Sequence, residues 1–330
     1  MLELLKYFDI LNEEIIKKEH VMSTNITRRS FIKRSTAIGV SSVLGSTLVP
    51  NITSSNESID MAVVKGQDYF ENTIKAVELL GGIKKFVPQN SKVALLPNPQ
   101  SNNPGTFTKP EIVRAAIKMC KEAGAKKIAC IGWLSKRFWV NTGMKKVIDE
   151  EGVKLEITNY RNESLFKSVP VPKGVALKEA RIIKTFYDYD VFIDMNITKE
   201  HSGSNLSGAL KNLMGINSPK SDRTFHANWT ANKDDVEHLD QCIADLNTII
   251  APDLCIVDAT EFVTTNGPNG PGKLLRPQKV IAGTDRVAID TYCATLFGYN
   301  PDDIYVLRKA HEHGLGEMDL RKVKIEEVEI

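Results

Sequence analysis

Lys199, His201, Lys211 and Asn212 lie within a short polar stretch, Asp194 to Gly215. Two ammonium groups at such spacing can neutralise a carboxylate or a phosphate. An imidazole between them can act as a general base or a metal ligand, because it titrates near neutral pH. The stretch leaves an apolar run, Val191 to Ile193, places Lys199 and His201 on a loop, and is expected to enter a short helix. Leu206, Leu210 and Leu213 recur at helical spacing and would form its buried stripe, with Ser204, Gly208, Lys211 and Asn212 opposite. Gly208 has no side chain, so another group can come close to the backbone there. A strand end, a basic loop and a helix N-terminus together suggest an anion site.

Four further groups extend this set. His226 is a candidate partner for His201, as a second base or a second metal ligand. Asp258 ends an apolar strand, where a carboxylate can orient a base or bind metal; its structural alternative is to cap the next turn. Glu261 follows three residues later. Asn266 and Gly267 open the turn-forming run Asn266-Gly267-Pro268-Asn269-Gly270-Pro271-Gly272, whose backbone N–H groups can cradle an anion. That run has neither a Walker sequence nor G-x-G-x-x-G, so it carries no nucleotide signature. His201, His226 and Asp258 are the metal candidates, and Lys199, Lys211, Asn212, Asn266 and Gly267 the ligand-binding ones. Asp285 is expected to cap a helix, and Asp290 to pair with Arg286 four residues earlier or to serve the site. His311 and His313 are expected at the surface.

The elements that position these groups follow from the apolar pattern. Short apolar runs at Lys92–Leu96, Lys127–Gly132, Lys154–Thr158, Asp190–Met195, Asp253–Val257 and Lys279–Ala282 read as strands. Amphipathic segments between them read as helices, among them Asn141–Glu151, Lys233–Ile250 and Asp285–Phe297. Gly174–Ile182 reads as extended, and Lys322–Ile330 as an edge strand. Asp60 to Val87 reads as a polar start followed by one helix. Thr108, Pro110 and Glu111 fit a helix start, with Thr108 as its cap. This alternation specifies an α/β fold, a mostly parallel sheet with helices on both faces, as a single domain over residues 58–330. Ligands of such sheets sit at the carboxyl ends of strands, which singles out the loops after Leu96, Asn196 and Asp258.

Charge and cysteine content narrow the function. Residues 51–330 carry 36 basic and 36 acidic side chains, so the body gives no electrostatic case for nucleic acid. The five cysteines contain no C-x-x-C, so no iron–sulfur cluster or Cys-rich zinc site is written locally, and the sequence names no cofactor. Burial is the plain account of them; spacing alone leaves a Cys120–Cys130 disulfide open.

Residues 1–57 read as a leader. Thr27-Arg28-Arg29-Ser30-Phe31-Ile32-Lys33 follows the twin-arginine export pattern, with Arg28, Arg29 and Phe31 as its defining residues. The run Ala37 to Pro50 is too short and polar for a stable membrane span. The expectation is a protein exported by the twin-arginine machinery to the periplasm or another extracytoplasmic space, with cleavage between about Ser46 and Ser58. Met22 opens a more usual leader, so translation is expected to start there.

The chain also resembles the family called domain of unknown function 362, over roughly residues 60–310. The resemblance rests on Lys199 and His201, on Ser207-Gly208-Ala209-Leu210-Lys211-Asn212-Leu213-Met214-Gly215, and on Arg223 with His226. It continues through Asp258, Asn266-Gly267-Pro268 and Asp285-Arg286-Val287-Ala288-Ile289-Asp290. Two segments depart from the family pattern: Leu96 stands where it has lysine, and Ile197-Thr198 where it has Pro-Lys. The ferredoxin-like cysteine runs of many relatives are missing. The family brings no settled activity. Two readings are carried forward: an enzyme acting on a small anionic molecule, with or without a metal, and a non-catalytic protein that binds a ligand or cofactor.

Overall fold

Apolar side chains alternate along each strand between two separate clusters. Met61, Val63, Ala94 and Leu96 enter one cluster, while Ala62, Val64, Val93 and Leu95 enter the other. A sheet that buries both faces must be covered on both, and helices supply the cover. The computed structural model describes residues 58–226 and 233–330, which fall in one compact unit; the twin-arginine motif lies outside the described residues.

The main sheet has eight strands: β1 (Met61–Lys65), β2 (Lys92–Pro97), β3 (Lys127–Gly132), β4 (Lys154–Ile157), β7 (Val191–Ile197), β10 (Leu254–Ala259), β13 (Lys279–Gly283) and β14 (Ile325–Glu329). The intervening numbers belong to the short pairs β5 (Phe166–Pro170) with β6 (Glu179–Ile183), β8 (Lys199–His201) with β9 (Asn205–Ser207), and β11 (Phe262–Val263) with β12 (Leu274–Leu275). The spatial order is β14-β1-β13-β10-β7-β2-β3-β4. β10, β7, β2, β3 and β4 run parallel, β13 opposes both β10 and β1, and β14 is parallel to β1. The expected α/β class and mostly parallel sheet are therefore the observed ones, with β13 the one reversed strand.

One face is covered by α1 (Tyr69–Leu79), α2 (Pro110–Glu122), α3 (Lys136–Asn141) and α4 (Met144–Glu150). The other is covered by α5 (Ala209–Asn212), α7 (Lys233–Asn247), α8 (Arg286–Leu296) and α9 (Tyr305–Glu312). α6 (Pro219–Phe225) leads to His226. Each fully buried Leu or Ile in these layers contributes about 1.5–3 kcal/mol of transfer free energy. Among the described residues, no helix is long and apolar enough to cross a membrane.

Several local expectations change. Met61–Lys65, read as the polar start of a helix, is β1, an interior strand held between β13 and β14. Its Ala62-Val63-Val64 core is too short to show a period, and only pairing with strands far along the chain makes it a strand. Lys199 and His201 sit on a strand of the β8–β9 hairpin and not on a loop. The helix expected from Leu206 onward shrinks to α5, followed by a 3₁₀ turn at Leu213–Ile216, yet Leu206, Leu210 and Leu213 are all buried as the stripe required. Gly143, at a φ of 78°, divides the expected Asn141–Glu151 helix. Thr108 does not cap α2: its hydroxyl donates to the Met195 carbonyl (2.9 Å) and accepts from the Asn98 N–H, tying β7 to the loop after β2. All five cysteines are buried free thiols, so Cys120 and Cys130 form no disulfide.

Candidate functional site

β2 and β3 run side by side and end together, so the loops that follow them form a common rim. α5 and its 3₁₀ turn pass over that rim. A cavity of about 410 Å³ lies between them. Leu96, Pro97, Asn98, Pro99 and Gln100 line it from β2 and its loop, and Ile131, Gly132, Trp133 and Leu134 from β3 and its loop. Trp139, His201, Ser207, Gly208, Lys211, Asn212, Met214, Gly215, Pro219 and His226 complete the wall. Four sequence-flagged groups, His201, Lys211, Asn212 and His226, are thus brought to one cavity at the carboxyl end of the sheet, where α/β folds place ligands.

The sequence attracts this arrangement locally. Asn212, at the end of α5, donates to the Leu96 carbonyl (2.9 Å) and to the Asp194 carboxylate (2.6 Å), and its carbonyl accepts from the Asn98 amide (3.1 Å). It therefore pins α5 to the ends of β2 and β7. Asp194 also accepts from the Asn196 amide (2.9 Å), and burial raises its carboxyl to about 7 despite these donors. Asp194 was not flagged from sequence: a carboxylate inside an apolar strand looks like an interruption until its partners are seen. Trp133 and Trp139 were also missed. Their indole N–H groups donate to the main-chain carbonyls of Met214 (2.9 Å) and Leu134 (3.0 Å). Gly132 permits this packing, since a Cβ there would stand 3.3 Å from the Trp139 ring.

His201 is buried, and its Nδ1 accepts the Gly203 N–H at 3.0 Å. That bond assigns the proton to Nε2. Burial, then Lys211, His226 and Lys199, drive its pKa down to about 2. His201 is consequently a neutral imidazole whose protonated nitrogen is a donor. Lys211 lies half-buried in the wall, its Nζ 3.4 Å from the Met214 sulfur.

The remaining flagged groups serve the scaffold. Lys199 is fully buried and donates to the Thr106 carbonyl (2.7 Å), with its ammonium pushed down to about 7 by desolvation and then by Lys211. It holds the far end of the loop that carries Asn98 and Gln100. Asp258 is equally buried. One oxygen accepts the Lys109 N–H at the start of α2 (2.8 Å), and the other accepts the N–H and hydroxyl of Thr260 (2.9 and 2.6 Å). This is the turn-capping alternative, extended to a neighbouring helix, and Asp258 does not line the cavity. Glu261 pairs with Arg276 and Lys109. Asn266, at a φ of 59°, donates to the Pro271 carbonyl, and the Gly267 N–H donates to the Glu200 carboxylate. A Cβ on Gly267 would stand 2.5 Å from the Glu200 carbonyl carbon, so this loop is packed on β8 and turned from the cavity. Asn269 accepts from Ser101 and Asn103 and so braces the loop after β2.

The anion site expected at the N-terminus of α5 is filled from within. Asp290 accepts the N–H groups of Ala209 (2.7 Å) and Leu210 (2.9 Å). Gly208 is the close-approach point anticipated from sequence, but the group that approaches is this internal carboxylate. Asp290 is therefore not the i+4 partner of Arg286, which donates to the Asn247 carbonyl (2.7 Å). Asp285 caps α8 through Val287 and Ala288, as expected. His313 is no surface residue; it meets the buried carboxylate of Asp245 at 2.8 Å. Among the described residues, no three His, Cys, Asp or Glu side chains converge as a metal-binding group.

A thylakoid-associated protein of Synechocystis sp. is 25% identical over 267 residues, covering 77% of this chain and 79% of that protein. Among solved structures, the lactate racemase apoprotein from Thermoanaerobacterium thermosaccharolyticum aligns at a TM-score of 0.45 and 15% identity over 72% of this chain. A Thermotoga maritima protein aligns at 0.41 and 13% identity over 74% of it. The chain spans 57% and 58% of those two structures. The model of the family described as domain of unknown function (DUF362) matches residues 93–295, a span that holds every cavity residue named above, and the chain belongs to that family.

Proposed function

We propose that this protein captures a small anionic molecule in the cavity at the ends of β2 and β3, with Lys211 supplying the charge. The observation that carries the reading is the meeting of Lys211, His201, His226 and Asn212 on one concave wall. Concave sites of a few hundred Å³ with a few convergent polar groups are the usual form of small-molecule sites. The state of His201 supports binding ahead of turnover. A base needs a lone pair, and the Nδ1 lone pair is engaged by Gly203, while the ring stays neutral across the physiological range. His201 then contributes as a neutral donor in place of the base expected from sequence.

Lys211→Met keeps the stem and removes the charge. Its affinity for carboxylates and phosphates, titrated by calorimetry from acetate to 1-naphthoate, is expected to fall about tenfold to a hundredfold, the range for a charge-assisted hydrogen bond. The unfolding midpoint should hold. Unchanged affinity for every member of that panel would sink the reading.

We further propose that the protein reaches an extracytoplasmic space through the twin-arginine machinery, a reading supported by Arg28, Arg29 and Phe31. Replacing both arginines by lysine is expected to leave full-length precursor in the cytoplasm. Export of that double variant at the wild-type level would count against this route.

A further inference from the structure

The cavity is uneven in a way that bears on what fits it. Among the described residues that line it, Lys211 is the one Lys or Arg. The charges behind the wall do not add a second full cation. Lys199 is fully buried on the Thr106 carbonyl, and Asp240, also buried, stands within electrostatic reach of Lys211 and opposes it. His201 is neutral. Main-chain N–H groups at a helix start could have carried further negative charge, but those of Ala209 and Leu210 are already committed to Asp290. A phosphate or dicarboxylate would bring two charges to a lining whose described residues offer one, and burying the unmatched charge is costly.

Beside Asn98, Gln100, Ser207 and Asn212, much of the remaining wall is carbon. Leu96, Ile131, Leu134 and Met214 face the space beside the rings of Trp133 and Trp139. Both indole N–H groups are bonded to main-chain carbonyls, so the rings have only apolar surface to offer. The 3.4 Å approach of Lys211 Nζ to the Met214 sulfur sets the ammonium at the border between the polar and apolar walls. At about 410 Å³ the space greatly exceeds what acetate or phosphate would fill, and a small ion would leave that surface uncovered.

Building on the reading of this cavity as an anion site, we infer that its ligand is a monocarboxylate with an aromatic or bulky apolar body, held with its carboxylate on Lys211 and its body against Leu96 and the two tryptophans. Titration calorimetry on the full chain decides this with four probes: 1-naphthoate, acetate, inorganic phosphate and the uncharged 1-naphthylmethanol. The expected result is that 1-naphthoate binds at least tenfold tighter than each of the others. Leu96→Lys, which adds a second cation beside the first, is expected to narrow or reverse the preference of naphthoate over phosphate. Phosphate or acetate binding as tightly as naphthoate in the wild type overturns the inference and leaves the anion reading standing. Naphthylmethanol binding as tightly as naphthoate overturns the anion reading. Binding of none of the four overturns both.

Discussion

Gly208→Ala should cost about 3 kcal/mol or more of unfolding free energy. A Cβ built on Gly208 would overlap the Asp290 carboxylate, standing 2.5 Å from its Cγ and 2.8 Å from one oxygen. Asp290 is buried and belongs to α8, which is packed in the core, so it has no room to withdraw without releasing the N–H groups of Ala209 and Leu210. Overpacking of this kind costs about 1–3 kcal/mol. Each hydrogen bond lost to a charged group adds roughly 1.5–3 kcal/mol in the limit. The backbone of Gly208 is extended, so the penalty arises from contact and not from conformation. Urea unfolding measures it. A double-mutant cycle with Asp290→Ser isolates the cause, because the shortened side chain should recover part of the loss and show coupling. A loss below 1 kcal/mol in the single variant, or strict additivity in the pair, would show that α5 is not held in this way.

Lys199 should make stability depend on pH in the alkaline range. Its folded-state pKa is about 7, against about 10.4 for an unfolded lysine. Between those values the unfolded chain holds a proton that the native chain has given up. The native state is therefore penalised at and below pH 7, and that penalty is relieved as pH rises toward 10. The slope approaches 1.4 kcal/mol per pH unit. Lys199→Met removes it, so the stability of the wild type relative to this variant should climb between pH 7 and 9. The variant also leaves the Thr106 carbonyl unpaired, an offset that is constant with pH and does not disturb the slope. A flat difference across pH 7, 8 and 9 would mean that Lys199 keeps its charge inside the protein.

Much of the architecture was legible because the strands β2, β3, β7 and β10 are predominantly apolar runs separated by amphipathic helices. β1 was not, since five residues cannot display a period and its partners lie near the other end of the chain. Within the site, Lys211 and Asn212 could be picked out because a strand, a polar turn and an apolar stripe follow each other in sequence. The tryptophan wall could not, because nothing local says that the loop after β3 will meet α5. Asp258, Asn266 and Gly267 carried the same sequence signals as the cavity residues. Their polar groups satisfy Lys109, Thr260, Pro271 and Glu200 instead, which shows how a polar strand end can serve the frame as readily as the ligand. Asp290 is the sharpest case: sequence located a close approach to Gly208 and a helix start suited to negative charge, but the charge comes from a residue 81 positions beyond Ala209.

The position of β1 in the sheet sets an order of assembly. Met61 pairs with Gly283 on one side and with Ile325 on the other. Both neighbours of β1 are therefore made long after it, and the loops that must close span more than two hundred residues. Until then the nascent protein carries Ala62, Val63 and Val64 without a sheet to enter, and β10 presents an open edge where β13 will lie. Such long-range pairing folds slowly and keeps aggregation-prone edges exposed during synthesis. A chain arrested before residue 279 would stay open at that edge however well β2, β3, β4 and β7 had formed, so completion of this sheet is a late event that waits on the segment from Lys279 onward.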